Sequence, residues 1–175
     1  MIVLTSEKGW SYTRFSMRKS CDIYVNKEVM RVWYKIRRDL DEYFGNHVHA
    51  IEELTPYVLI GTPGIGKSFA AGSFLLYQLL HYNAERIPVV AYFIRGGAYL
   101  FEKKSDGGKV CFYEYDRIAV SVVQNFFKQG EKNKEKIGYI IYDVSEERSM
   151  PPDALPPLGW GMIVISSPNE EQYKG

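Results

Sequence analysis

At 175 residues, with 46% hydrophobic and 15% aromatic residues, the chain has the length of one globular domain and enough apolar side chains for a packed core, which excludes a disordered segment. Lys and Arg number 22 against 21 Asp and Glu, so no whole-molecule field marks a dedicated nucleic-acid or membrane binder, and any basic patch is local. Cys21 and Cys111 belong to no Cys-x-x-Cys pair, which fits a reduced intracellular protein without a disulfide framework or zinc site. The start carries no secretory pattern, and the longest run without Lys, Arg, Asp or Glu, Ser68 to Ala84, is shorter than the ~20 apolar residues a bilayer demands.

Ile2 to Leu4 reads as a short strand, and the aromatic stretch from Gly9 to Tyr24 carries no periodicity that assigns it. From Asn26, an N-cap residue type, Val29, Val32, Trp33, Ile36, Leu40, Tyr43 and Phe44 recur at three- and four-residue spacing, predicting an amphipathic helix that ends at Gly45. Lys27, Arg31, Lys35 and Arg38 share its opposite face. A connection from His47 to Thr55 leads to Tyr57-Val58-Leu59-Ile60, the composition of a buried strand. Lys67 to Tyr82 is apolar nearly all round, as in a central helix. Pro88 to Ile94 reads as the next strand. Ala98 to Phe101 and Lys109 to Tyr115 read as an inserted hairpin joined across Ser105-Asp106-Gly107-Gly108. Helical spacing returns from Asp116 to Lys128, a charged loop runs from Gly130 to Lys136, and Gly138 to Asp143 is a further buried strand. A Pro-rich loop, Pro151 to Pro157, precedes the last strand, Gly161 to Ile165.

Between the first buried strand and the central helix stands Gly61-Thr62-Pro63-Gly64-Ile65-Gly66-Lys67-Ser68, which fits G-x-x-x-x-G-K-S in the strand-loop-helix setting that pattern requires. Glycines let a compact loop turn its backbone N–H groups onto phosphates, and the following helix N-terminus adds partial positive charge. Lys67 supplies a fixed cation for the β- and γ-phosphates, and the Ser68 hydroxyl suits magnesium. A chance glycine turn would explain the glycines but not Lys-Ser opening a helix. Asp143, ending an apolar strand, is the acidic partner expected for the metal, the Walker B position; alone it would equally be a turn residue.

Many P-loop ATPases carry a Glu directly after that Asp, and here the place is Val144, which counts against hydrolysis. Glu146 and Glu147 follow closely and are candidate water-orienting bases, although paired acids in a polar loop are commonly just solvated. Ser166, Ser167 and Asn169 are candidate γ-phosphate sensors or ordinary turn formers. Arg95, Arg117 and Arg148 are candidate transition-state arginines, with an arginine from a partner equally open. Asn133-Lys134-Glu135-Lys136 lacks the final Asp of a guanine-reading motif, which favours ATP over GTP. The basic face of the first helix, with Trp10, Tyr12, Phe15, Tyr24 and Trp33 nearby, could meet a nucleic-acid backbone, but such a face is ordinarily a solvated one. His47 and His49 have no third ligand nearby and read as loop residues rather than a metal site.

The words Val58 to Ser68, Ala71 to Tyr82, Gly138 to Val144 and Gly159 to Asn169, together with Leu4 to Trp10 and Cys21 to Asn26, closely resemble the trypanosome retrotransposon hot spot proteins over nearly the whole chain. Members of that family are longer at both ends, so the resemblance implies a fragment holding the P-loop half. It also implies an ATP/GTP-binding motif on Gly61, Gly66, Lys67 and Ser68, and a place in or around the nucleus or in the cytoplasm. Some members are linked to transcription and RNA export, so a nuclear protein or nucleic-acid partner is an expectation of the same kind. The expected architecture is an α/β, P-loop NTPase-like three-layer domain over residues 56–175, with a mainly parallel sheet and an inserted β-hairpin, after a helical N-terminal extension over 1–55. The expected function is binding of ATP with magnesium, with or without hydrolysis; the alternative is a nucleotide-binding interaction module or degenerate fragment that does not hydrolyse.

Overall fold

The computed structural model describes residues 2–7, 21–45, 54–61, 67–104, 107–131, 138–144, 151–157 and 159–167. Strands β1, Ile2–Thr5, and β2, Asp22–Val25, form an antiparallel pair, closed by a 2.8 Å hydrogen bond from the Thr5 hydroxyl to Asp22. Strand β2 begins inside the stretch that periodicity left unassigned and ends one residue beyond it, at Val25. Four residues are too few for a period to show, yet Ile23 and Val25 alternate inward and are buried.

Helix α1, Lys27–Gly45, starts where the Asn26 side chain accepts a 2.9 Å hydrogen bond from the Val29 N–H, the expected N-cap. Val29, Trp33, Ile36 and Leu40 form its buried stripe. On the opposite face the arginines meet acids of the same helix: Arg31 with Glu28 at 3.2 Å, Arg37 with Asp41 at 3.6 Å, and Arg38 with Glu42 at 3.7 Å. Exposed pairs of this kind contribute on the order of 0.5 kcal/mol each. They make the face mixed in sign, not a basic track.

The main sheet has six strands in the order β3-β8-β7-β4-β5-β6. These are β3, Tyr57–Ile60; β4, Val89–Ile94; β5, Gly97–Glu102; β6, Lys109–Tyr113; β7, Gly138–Asp143; and β8, Gly161–Ser166. The pairings β3-β8, β8-β7 and β7-β4 are parallel, and β4-β5 and β5-β6 antiparallel. The sheet is thus mixed. The expected hairpin exists, but its first strand also pairs with β4 across a two-residue turn, so the hairpin continues the sheet. Every residue of β4 and β7 is buried, as continuous apolar strands require when both faces are covered.

A π-helical turn, Lys67–Ala71, leads into helix α2, Gly72–His81, and helix α3 spans Asp116–Glu131. Successive residues of β7 feed different cores. Tyr139 and Ile141 join Ile163, Ile165, Leu75, Leu79, Trp33 and Ile36 on one face, while Ile140 and Tyr142 join Ala119, Val123, Leu155 and Trp160 on the other. The first core is continuous from β2 and α1 through α2 to the sheet. Gly138 allows the Trp160 ring to lie against the β7 backbone in space a Cβ would fill. The Lys103 ammonium closes the end of α2, donating to the carbonyls of Leu79 at 2.8 Å and Tyr82 at 3.0 Å. Among the described residues no helix is long and apolar enough to cross a membrane.

Candidate functional site

Strands β3, β8, β7 and β4 run the same way, so their carboxyl ends form one rim, where open α/β sheets take their ligands. Gly61, Ser166, Asp143 and Ile94 stand along it in strand order. The ladder reaches the rim through hydrogen bonds from the Gly61 N–H to the Ser166 carbonyl at 3.3 Å and from the Val144 N–H to the Ile165 carbonyl at 3.0 Å. With β8 between them, Gly61 and Asp143 are two strand spacings, about 10 Å, apart.

Lys67 opens the π-helical turn, and its ammonium donates back to the Gly61 carbonyl at the end of β3. Asp143 is only 7% exposed at the end of β7, on the sheet face that packs against α2. Loss of water around the ammonium lowers Lys67 from the ordinary lysine range, and the Asp143 carboxylate pulls it upward. The two groups are therefore within electrostatic reach, a cation and a buried oxygen donor facing one rim. A carboxylate here is the donor type that hard divalent cations take.

Two features hold the turn. The Ser73 hydroxyl donates to the Phe69 carbonyl, and the buried Tyr92 ring of β4 lies over Gly72, where a Cβ would approach its Cζ to 3.0 Å and its hydroxyl oxygen more closely still. π-Helical turns inside longer helices recur at functional sites. Tyr92 was missed by motif reading; the available signal was a glycine, Gly72, inside an otherwise apolar helix.

Of the other sequence candidates, Thr62, Pro63, Gly64, Ile65 and Gly66 lie outside the described residues, as do Glu146, Glu147, Arg148, Asn169, His47 and His49. Ser166 is buried at the end of β8 with its hydroxyl on the Ser167 carbonyl at 3.0 Å. Val144 is half-buried against the second core. Arg95 occupies the turn between β4 and β5, and Arg117 the first turn of α3.

Residues 58–175 match the family described as retrotransposon hot spot protein, P-loop domain, and residues 1–56 match retrotransposon hot spot proteins N-terminal. No curated protein and no solved structure matches the chain. The two matches divide nearly the whole sequence between them, and the P-loop match runs from β3 through the rim to the end of the chain. The chain belongs to the retrotransposon hot spot protein family.

Proposed function

We propose that this chain is a P-loop NTPase-like domain that binds ATP together with magnesium on the rim between β3 and β7. The observation that carries the reading is the convergence of Lys67 and Asp143, groups from distant parts of the sequence, at the carboxyl ends of parallel strands. In this reading Gly61 to Ser68 wrap the phosphates with backbone N–H groups, and Lys67 neutralises charge on the β- and γ-phosphates. Ser68 and Asp143 would hold the magnesium, which would offset the charge of the phosphates. The partly desolvated Lys67 supports this assignment, because an ammonium short of water gains more from an incoming polyanion than a fully hydrated one does.

Val144 favours a binding module over a hydrolase. It directly follows Asp143 and packs against the second core, so no carboxylate stands there to orient water. Titration of ATP with and without magnesium tests the binding, and phosphate release in the same samples separates module from hydrolase. Magnesium-independent, weak binding unaffected by Lys67→Ala would sink the proposal.

A further inference from the structure

Strands β4 and β5 are joined by Arg95 and Gly96 alone, with Ile94 paired to Gly97. Both turn residues have positive φ, 53° at Arg95 and 74° at Gly96. A two-residue turn of this twist requires that at both positions, and Asn, Asp or Gly ordinarily fill the first. Arg95 is the one non-glycine residue with positive φ among the described residues, and a left-handed conformation is unfavourable for a long side chain. The turn is nevertheless fixed: the Asp116 N–H at the start of α3 donates to the Gly96 carbonyl at 3.0 Å, and a Cβ at Gly97 would meet the Tyr113 carbonyl at 2.8 Å. The residue type costs stability here, which raises the question of what an arginine does at this turn.

The position suggests what. Arg95 follows the last residue of β4 on the same rim as Lys67 and Asp143. Phe93 pairs with Tyr142, the last pair between β4 and β7, and Arg95 follows two residues on, past the end of a strand that lies one spacing of about 4.8 Å from β7. An extended arginine side chain spans more than one such spacing. Arg95 is exposed and makes no ion pair among the described residues. In the reading above, a triphosphate held by Lys67 at its β- and γ-phosphates would extend across β8 toward Asp143, which leaves its terminal phosphate open on the β4 side.

We infer that Arg95 contacts the terminal phosphate of the bound nucleotide from the side opposite Lys67, so that the site distinguishes a nucleoside triphosphate from a diphosphate. This rests on the nucleotide-binding reading above. A guanidinium suits the task because its planar fork can give two parallel hydrogen bonds to phosphate oxygens.

The test compares ATP and ADP affinities, with magnesium, for the unmodified chain, Arg95→Asn and Lys67→Ala, with melting temperatures for all three. Asn tolerates the left-handed turn, so Arg95→Asn should melt about 2 °C higher while losing roughly tenfold or more in ATP affinity and keeping its ADP affinity. Lys67→Ala should lose both nucleotides. If Arg95→Asn binds ATP as the unmodified chain does, the inference is wrong and the nucleotide site stands. Equal losses of ATP and ADP with a lowered melting temperature would make Arg95 structural and overturn the inference as well. If the unmodified chain binds neither nucleotide, the site reading fails and takes this inference with it.

Discussion

The Tyr92 ring of β4 stands over Gly72 at the junction between the π-helical turn and α2, in the space that any side chain at Gly72 would need. The helix that carries Lys67 can approach the sheet there only because position 72 has no Cβ. Gly72→Ala should cost about 1–3 kcal/mol, as overpacking in a rigid core does. Removing the hydroxyl should recover part of the loss: Gly72→Ala with Tyr92→Phe is expected to be less destabilised than the sum of the two single changes, measured as a double-mutant cycle in urea. Simple additivity would contradict the contact.

Helix α1 packs into the same core as α2, and Trp33 is its largest contribution, 6% exposed and edge-on to Tyr82 with ring centroids 6.5 Å apart. Trp33→Ala is expected to cost about 3–5 kcal/mol. In native-state hydrogen exchange the loss of protection should extend to α2 and β8 and not stop within α1, since Leu75, Leu79, Ile163 and Ile165 share that core. Loss confined to α1 would show that the two family-matched segments fold independently.

Stability should depend on alkaline pH with two opposing signs. Burial lowers Lys103 to about 8 from 10.5, so between those values the unfolded chain binds the extra proton and stability rises with pH. Burial, then the hydrogen bond to Asp39, pushes Tyr57 up to about 12 from 10.0, so between pH 10 and 12 the folded chain holds its proton longer and stability falls. Tyr43, Tyr82, Tyr113, Tyr139 and Tyr142 are raised as well and add to the fall. Thermal melts across this range should show Lys103→Met flattening the rise and Tyr57→Phe softening the fall. An unchanged profile in Tyr57→Phe would remove the Tyr57–Asp39 link between β3 and α1 from the account.

Asp143→Asn tests the metal reading. The amide keeps the size of the buried group while removing its charge, so the gain in ATP affinity on adding magnesium should shrink by about tenfold. Magnesium-free ATP binding should hold or improve as a buried negative charge leaves the rim. A full magnesium effect in this variant would assign the metal elsewhere.

Much of this was legible in the amino-acid order because it is local. Asn26 and the Val29-Trp33-Ile36-Leu40 spacing specify α1 at both its start and its buried face, and the apolar words before Gly61 and Asp143 identify β3 and β7 as strands. Strand β3, however, is not the buried strand its composition suggested but an edge strand with Val58 and Ile60 exposed, because edge position is set by strand order. Strand order is not local. Nothing near Gly161–Ser166 announces that β8 inserts between β3 and β7, because that placement depends on how the whole sheet covers its two cores. The β4–β5 turn was hidden for a different reason: Arg95-Gly96 lacks the Asn or Asp that marks such turns, so Pro88 to Ile94 and Ala98 to Phe101 read as separate pieces. The π-helical turn left no trace either, since Lys67 to Tyr82 has the composition of an ordinary buried helix.

The most direct test is calorimetric titration of ATP, with magnesium, into the unmodified chain and into Lys67→Ala, after melting curves have shown that the variant folds equally well. The account predicts saturable binding by the unmodified chain and at least about tenfold weaker binding by the variant, the loss expected for one charge-assisted phosphate contact. Equal affinity in the two proteins, or no binding by a folded unmodified chain, would contradict the assignment of the rim between β3 and β7 as a nucleotide site.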